Sequence, residues 1–199
     1  MKTTLNLVTD SAVTTGQLLR IVKGAVAGGV TMVQLREKTT DTRTFLERAW
    51  ALKRLLKGTG VPLIINDRVD IALAVDADGV HLGQSDMPVD IARRLLGPDK
   101  IIGLSVESLE QIEQANSLDI QYIGISPIFA TSTKTDTKAP FGLEGARQAV
   151  KRSIHPTIGI GGINATNIAA VRATGLDGVA VVSAIMSAPN PQQAAFGLL

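Results

Sequence analysis

Three side chains able to hold an anion alternate along Met32-Val33-Gln34-Leu35-Arg36-Glu37-Lys38. A strand has period two, so Gln34, Arg36 and Lys38 share one face. If that face points inward, two cations and an amide crowd one spot, and unpaired charges there are costly. Their partners are acids on neighbouring strands, bulk solvent, or the oxygens of a bound phosphate or diphosphate. Two carboxylates follow the next two runs, in Ile65-Asn66-Asp67-Arg68 and in His81-Leu82-Gly83-Gln84-Ser85-Asp86. Beside a diphosphate, Asp67 and Asp86 suit a hard cation such as Mg2+, which takes few carboxylates plus ligand phosphate oxygens. Each also suits a plainer task. Asp67 could cap the following helix, and Asp86 the helix that begins near Pro88. His81 reads as a core histidine with satisfied nitrogens, and Asp70, Asp76, Asp78 and Asp99 as turn and cap residues.

Further along, Gly103-Leu104-Ser105 ends in a small hydroxyl that a helix start would also explain. Thr131-Ser132-Thr133-Lys134 sets two threonine hydroxyls and a cation on the longest polar irregular stretch, Thr131–Pro140, which is either a solvated loop or a lid. Ile160-Gly161-Gly162-Ile163-Asn164 lets backbone approach a ligand closely. Val181-Val182-Ser183-Ala184-Ile185 opens a short helix whose free N–H groups favour an anion. Gly-Gly also serves tight turns. Taken together, the residues predict two phosphate-binding regions across one mouth, one cationic with a metal and one built from backbone. That implies two phosphorylated substrates or one bisphosphorylated substrate.

These residues need a scaffold that gathers strand ends. Short β-branched runs predict strands at Thr4–Val8, Thr31–Arg36, Pro62–Ile65, Gly79–Leu82, Ile101–Leu104, Tyr122–Gly124, Thr157–Ile160 and Gly178–Val182. Between them lie amphipathic stretches. Thr44–Leu56 puts Phe45, Ala49, Leu52 and Leu56 on one face, and Val89–Leu96 follows Pro88, a residue suited to a first helical turn. Helices run into strands through similar phrases, Ala27-Gly28-Gly29-Val30, Asp76-Ala77-Asp78-Gly79-Val80 and Gly175-Leu176-Asp177-Gly178-Val179, with a weaker copy before Tyr122. Val30, Val80, Tyr122 and Val179 are spaced by 50, 42 and 57 residues. Each interval holds two strand–helix units, so a unit averages about 25 residues, and eight units fill the chain. The expectation is an α/β fold, one (β/α)8 TIM barrel over residues 1–199 forming a single catalytic domain, with chemistry at the C-terminal ends of the strands. A doubly wound sheet lacks its Gly-x-Gly-x-x-Gly after the first strand.

Bulk properties narrow the function classes. The 199 residues are 45% hydrophobic and 19% charged, ordinary for a globular chain with one sizeable core. Net charge is +2 and aromatics are 3%, so neither a basic stripe nor a base-stacking platform is visible, and no nucleic-acid partner is expected. The absence of cysteine excludes disulfides, thiolate metal sites and a cysteine nucleophile. Neither a secretory leader nor an apolar run of membrane-spanning length is present, so no membrane partner is expected and a cytoplasmic location is. A monomer or small homo-oligomer is compatible with all of this.

The same residues in the same order resemble the thiamine-phosphate synthase family, from Leu7-Val8-Thr9-Asp10 to Val181-Val182-Ser183-Ala184-Ile185. Val33-Gln34-Leu35-Arg36-Glu37-Lys38, Ile65-Asn66-Asp67-Arg68, Gly79-Val80-His81-Leu82-Gly83-Gln84-Ser85-Asp86, Thr131-Ser132-Thr133-Lys134 and Ile160-Gly161-Gly162-Ile163 carry the likeness. The resemblance implies a transferase that joins 4-amino-5-hydroxymethyl-2-methylpyrimidine diphosphate to 4-methyl-5-(2-hydroxyethyl)thiazole phosphate, releasing diphosphate. It implies that Gln34, Arg36, Lys38, Asn66 and Lys134 hold the pyrimidine diphosphate, that Asp67 and Asp86 carry Mg2+, and that Ser105 contacts the pyrimidine. Thr131, Thr133, Gly162 and the Val182-Ser183 backbone would receive the thiazole phosphate. Arg36, Lys38 and Lys134 would act catalytically, by neutralising charge on the leaving diphosphate. Some relatives carry His shortly after the Ser105 position, among them a sister group that isomerises a thiazole tautomer; here Glu107 stands there. The alternatives are that tautomerase, with Glu107 as a base, or a barrel that binds thiamine precursors without turnover.

Overall fold

The computed structural model describes residues 5–131 and 139–199. The strands are β1 (Leu5–Val8), β2 (Met32–Leu35), β3 (Leu63–Asn66), β4 (Gly79–Leu82), β5 (Ile101–Val106), β6 (Tyr122–Ile125), β7 (Thr157–Ile160) and β8 (Gly178–Val181). All neighbours are parallel, and β1 pairs with both β2 and β8, so the sheet closes into a (β/α)8 barrel. The helices are α1 (Thr15–Ala27), α2 (Thr42–Leu56), α3 (Val69–Ala74), α4 (Val89–Leu96), α5 (Leu109–Ala115), α6 (Gly142–Arg152), α7 (Ile168–Arg172), the short α8 (Ser183–Met186) and α9 (Pro191–Phe196). None is long and apolar enough to cross a membrane.

Two apolar layers follow from the alternation of the strands. Outward residues such as Leu5, Leu7, Val33, Leu35, Leu63 and Ile65 form the main core with the helices. Inward Val8, Met32, Ile64, Tyr122, Ile158 and Ala180 fill the barrel as a separate cluster. The α2 stripe works as its spacing predicts: Phe45, Ala49, Leu52 and Leu56 are buried. The helix starts two residues earlier than expected because the Asp41 carboxylate caps it, accepting from the Thr44 amide at 3.0 Å. Thr14 and Gln17 form a reciprocal capping box at the start of α1.

Strand bounds differ from the sequence-based ones at the ends only. Pro62 has no N–H to donate, so β3 begins at Leu63, although the Pro62 carbonyl still accepts from Val33 at 3.0 Å. The β5–β6 ladder extends to Ser105 opposite Gly124 and Val106 opposite Ile125, lengthening both strands. Arg36 and Val182 lie just beyond β2 and β8, in the loops that form the mouth.

Candidate active site

A cavity of about 720 Å³ opens at the C-terminal ends of the strands. Gln34, Arg36, Lys38, Asn66, Asp67, Asp86, Ser105, Thr131, Gly162, Val182 and Ser183 all line it. The barrel therefore brings together every predicted site residue except Thr133 and Lys134, which lie outside the described residues.

One side of the mouth is polar and charged. Beyond β2 the chain alternates as the sequence predicts. Arg36 and Lys38 face the cavity, while Glu37 turns away into a buried ion pair with Arg48 of α2, at 2.7 Å. Arg48 also donates to the Val13 carbonyl at 2.8 Å, tying the loop after β1 to the loop after β2. The Thr9 hydroxyl accepts from the Arg36 amide at 3.0 Å and fixes the backbone there. The Arg36 guanidinium has no acid partner among the described residues, whereas Lys38 reaches Asp67 at 2.5 Å.

Asp67 sits in left-handed backbone, with φ of 62°. Its amide donates to the His81 carbonyl at 2.8 Å, and the Arg68 amide closes a tight turn onto the Asn66 carbonyl at 2.7 Å. An aspartate tolerates that conformation better than a branched residue. Asp86 turns back to accept from the Gly83 amide at 2.6 Å. The helix-cap alternatives fail for both: α3 is capped by Arg68 and α4 by Pro88, neither with a side-chain cap bond. Pro88 thus stands one place before the helix rather than in its first turn. Burial raises the Asp67 carboxyl above the ordinary carboxylate range; Lys38 opposes this and the neighbouring Asp86 adds to it. Two close carboxylates with one lysine, paired to Asp67, leave negative charge uncompensated, and that donor set fits a hard divalent cation. Among the described residues no third acid or histidine joins them, so other ligands would come from a substrate or water.

The opposite side is built from backbone. Gly161 and Gly162 have φ of 103° and 65°. A Cβ on Gly162 would lie 2.8 Å from both the Ala130 carbonyl oxygen and the Phe129 Cβ. The loop after β6 is laid on this turn by bonds from Ile128 to Ile160 at 2.8 Å and from Phe129 to Gly161 at 3.0 Å, which brings Thr131 to the same rim. Next to it, Val182 caps α8, and the first amides of that helix have no intrahelical acceptor.

Two residues of the floor, Asn6 and His81, were not legible as site in the sequence. Asn6, Gln34 and Asn66 form an amide chain across β1–β3: Asn6 Nδ2 donates to Gln34 Oε1 at 3.5 Å, and Gln34 Nε2 to Asn66 Oδ1 at 2.8 Å. Asn6 Oδ1 is buried with no partner among the described residues. The hint was one polar residue at an inward position of Leu5-Asn6-Leu7-Val8. Beside Asn66 on the next strand, His81 stacks on Tyr122 with ring centres 5.4 Å apart. Its Nδ1 lies 2.9 Å from the Tyr122 hydroxyl and its Nε2 2.8 Å from Ser105 Oγ. The expectation of a satisfied histidine holds, but the residue lines the cavity rather than a sealed core. Gly103 makes this possible, since a Cβ there would lie 2.1 Å from the Tyr122 ring.

Similarity to known proteins agrees with this geometry. The family model described as thiamine monophosphate synthase matches residues 5–185. The thiamine-phosphate synthase of Vibrio parahaemolyticus is 60% identical over 195 residues, covering 98% of this chain and 96% of its own. That of Albidiferax ferrireducens is 55% identical, covering 98% and 89%. The solved thiamine phosphate pyrophosphorylase from Pyrococcus furiosus superposes with a TM-score of 0.89 at 38% identity, over 99% of this chain and 94% of its own. A 3-hexulose-6-phosphate synthase, at 20% identity and a TM-score of 0.74, shares the fold. With the family model spanning all eight strands and relatives matching nearly end to end, this chain belongs to the thiamine monophosphate synthase family.

Proposed function

We propose that the chain is a thiamine-phosphate synthase, a transferase that joins 4-amino-5-hydroxymethyl-2-methylpyrimidine diphosphate to 4-methyl-5-(2-hydroxyethyl)thiazole phosphate, the whole chain acting as one catalytic domain in the cytoplasm. The carrying observation is that a charged rim and a backbone rim face each other across one cavity of about 720 Å³. That size suits two small ligands meeting.

On the charged side, Arg36, Lys38, Lys134 and the side-chain N–H groups of Asn66 receive the diphosphate. Gln34 holds Asn66 by its 2.8 Å bond and so aims that amide. Ser105 contacts the pyrimidine. On the other side, Gly162, Thr131, Thr133 and the Val182-Ser183 backbone receive the thiazole phosphate. When bound between Asp67 and Asp86, a magnesium ion would supply neutralisation of charge on the departing diphosphate. Carbon–oxygen cleavage leaves its electron pair on the diphosphate, where Arg36 and Lys38 offset the growing charge. The aminopyrimidine carries the positive methylene, and the thiazole nitrogen closes the new carbon–nitrogen bond. No protein nucleophile is required.

The test is to mix the protein with both substrates, with Mg2+ and then with EDTA, and to detect thiamine phosphate as fluorescent thiochrome. Mg2+-dependent product with diphosphate release supports the reading. A folded sample that makes no product removes it.

A further inference from the structure

The hydroxyl of Tyr122, the imidazole of His81 and the hydroxyl of Ser105 form one line through the barrel, with contacts of 2.9 and 2.8 Å. Hydrogen bonds in such a line must agree in direction, because each link needs one donor and one acceptor. Tyr122 fixes the direction. Its residue is 1% exposed, and His81 Nδ1 is its one hydrogen-bond partner among the described residues. A phenol keeps its proton here, and that proton needs an acceptor. If Nδ1 carried a hydrogen, two donors would face each other or the phenol proton would be buried unsatisfied, costing about 1–3 kcal/mol.

We infer that Tyr122 and His81 are positioning residues that turn the Ser105 hydroxyl proton into the cavity, making Ser105 a hydrogen-bond donor there. Tyr122 donates to Nδ1, so the neutral imidazole carries its hydrogen on Nε2 and donates to Ser105 Oγ. One of the two lone pairs of the serine oxygen is then taken, the His81 side of the hydroxyl can no longer receive the serine proton, and that proton points to whatever fills the cavity. A carbonyl of Ser105 already accepts from Gln84 Nε2 at 2.6 Å, which holds the backbone beside that hydroxyl. A hydroxyl whose proton is turned into the cavity selects a ligand atom with a lone pair, such as an unprotonated ring nitrogen, over an N–H in line with that proton. This rests on the reading of Ser105 as the pyrimidine contact. The ring face of Tyr122 packs on His81 and keeps the imidazole plane fixed.

The direction of the line is measurable without turnover. The chain has two histidines, so a protein labelled with 15N-histidine gives two imidazole patterns, separated by His155→Gln. The expected pattern for His81 is a neutral ring with hydrogen on Nε2 and a bare Nδ1. Hydrogen on Nδ1, or a charged ring, overturns the proposal. Kinetics give a second, independent reading. Tyr122→Phe is expected to raise KM for the pyrimidine diphosphate about five- to tenfold, the loss of about one hydrogen bond, with KM for the thiazole phosphate unchanged. Adding Tyr122→Phe to Ser105→Ala is expected to cost nothing more, since the serine proton it directs is already gone. Full additivity of the two changes, or equal effects on both substrates, overturns the proposal. Failure of wild-type protein to make thiamine phosphate would instead count against the assigned reaction and leave the imidazole result standing.

Discussion

Lys38 Nζ lies 2.5 Å from Asp67 Oδ2, joining the loop after β2 to the loop after β3 across the rim of the cavity. The lysine side chain is 50% exposed and the aspartate 20%, so the lysine can swing away while the carboxylate stays. In the proposed reaction each would have a second partner, diphosphate for Lys38 and Mg2+ for Asp67, and the pair would be a contact that ligands replace.

Removing the lysine separates the two roles. Lys38→Ala is expected to lower kcat about a hundredfold, by loss of one charge-stabilising donor. It should also lower the Mg2+ concentration needed for half-maximal rate, because Asp67 loses a competing cation. Rates across a Mg2+ titration check this; a higher Mg2+ requirement would contradict it.

Glu37 and Arg48 form the buried counterpart of that exposed pair, at 2.7 Å with side-chain exposures of 0% and 10%. Arg48→Ala leaves the Glu37 carboxylate without its buried cation. Unfolding free energy should fall by about 3–5 kcal/mol in urea titration. KM for the pyrimidine diphosphate should rise as well, since Glu37 stands between Arg36 and Lys38. A stability change below about 1 kcal/mol would remove the clamp.

Gly103→Ala drives a methyl group into Tyr122 and His81, with 2.1 Å to Tyr122 Cζ and 2.6 Å to His81 Nδ1. Overpacking of a filled interior should destabilise the fold by about 1–3 kcal/mol. Gly16→Ala, where a Cβ meets nothing within 4 Å, is the matched control and should be neutral or slightly stabilising. Thermal unfolding of both variants makes the comparison.

Asn6 keeps a polar oxygen among Val8, Met32 and Ala180 with no partner among the described residues. Asn6→Val removes that orphaned oxygen but also the donor to Gln34 Oε1, so stability in urea should change by less than about 1 kcal/mol, while pyrimidine binding weakens through loss of support to Gln34. A destabilised variant with unchanged KM would show that Asn6 serves the fold instead.

Gly162→Ala tests the backbone rim. At φ of 65° and 2.8 Å from the Ala130 oxygen, the added carbon must push the loop after β6 outward. KM for the thiazole phosphate should rise at least about tenfold, a loss of about 1.4 kcal/mol, with KM for the pyrimidine substrate little changed. Equal effects on both substrates would place the two phosphates differently.

Much of this molecule is legible in one dimension. Period-two runs, helix stripes and the spacing of about 25 residues per unit determine an eightfold barrel. Barrel geometry then places strand ends together, which is why Gln34, Arg36, Asp67, Asp86 and Gly162 could be named in advance and meet at one cavity, while the roles of Asn66 and Ser105 came from the family resemblance. Local rules also set which face Glu37 takes, since alternation sends it outward. What the sequence left open was decided by contacts between distant segments. Asp67 and Asp86 suited helix caps equally well until the turns at Asn66–Arg68 and Gly83–Asp86 bent their carboxylates away from the helices. His81 had no visible partner until β5 and β6 brought Ser105 and Tyr122 alongside it. Asn6 gave no site signal in Leu5-Asn6-Leu7-Val8; the pairing of β1 with β2 sets it beside Gln34. Periodicity fixes the direction in which a side chain points. Only closure of the sheet fixes what it meets, because hydrogen-bond partners 24 to 41 residues apart share no local signal.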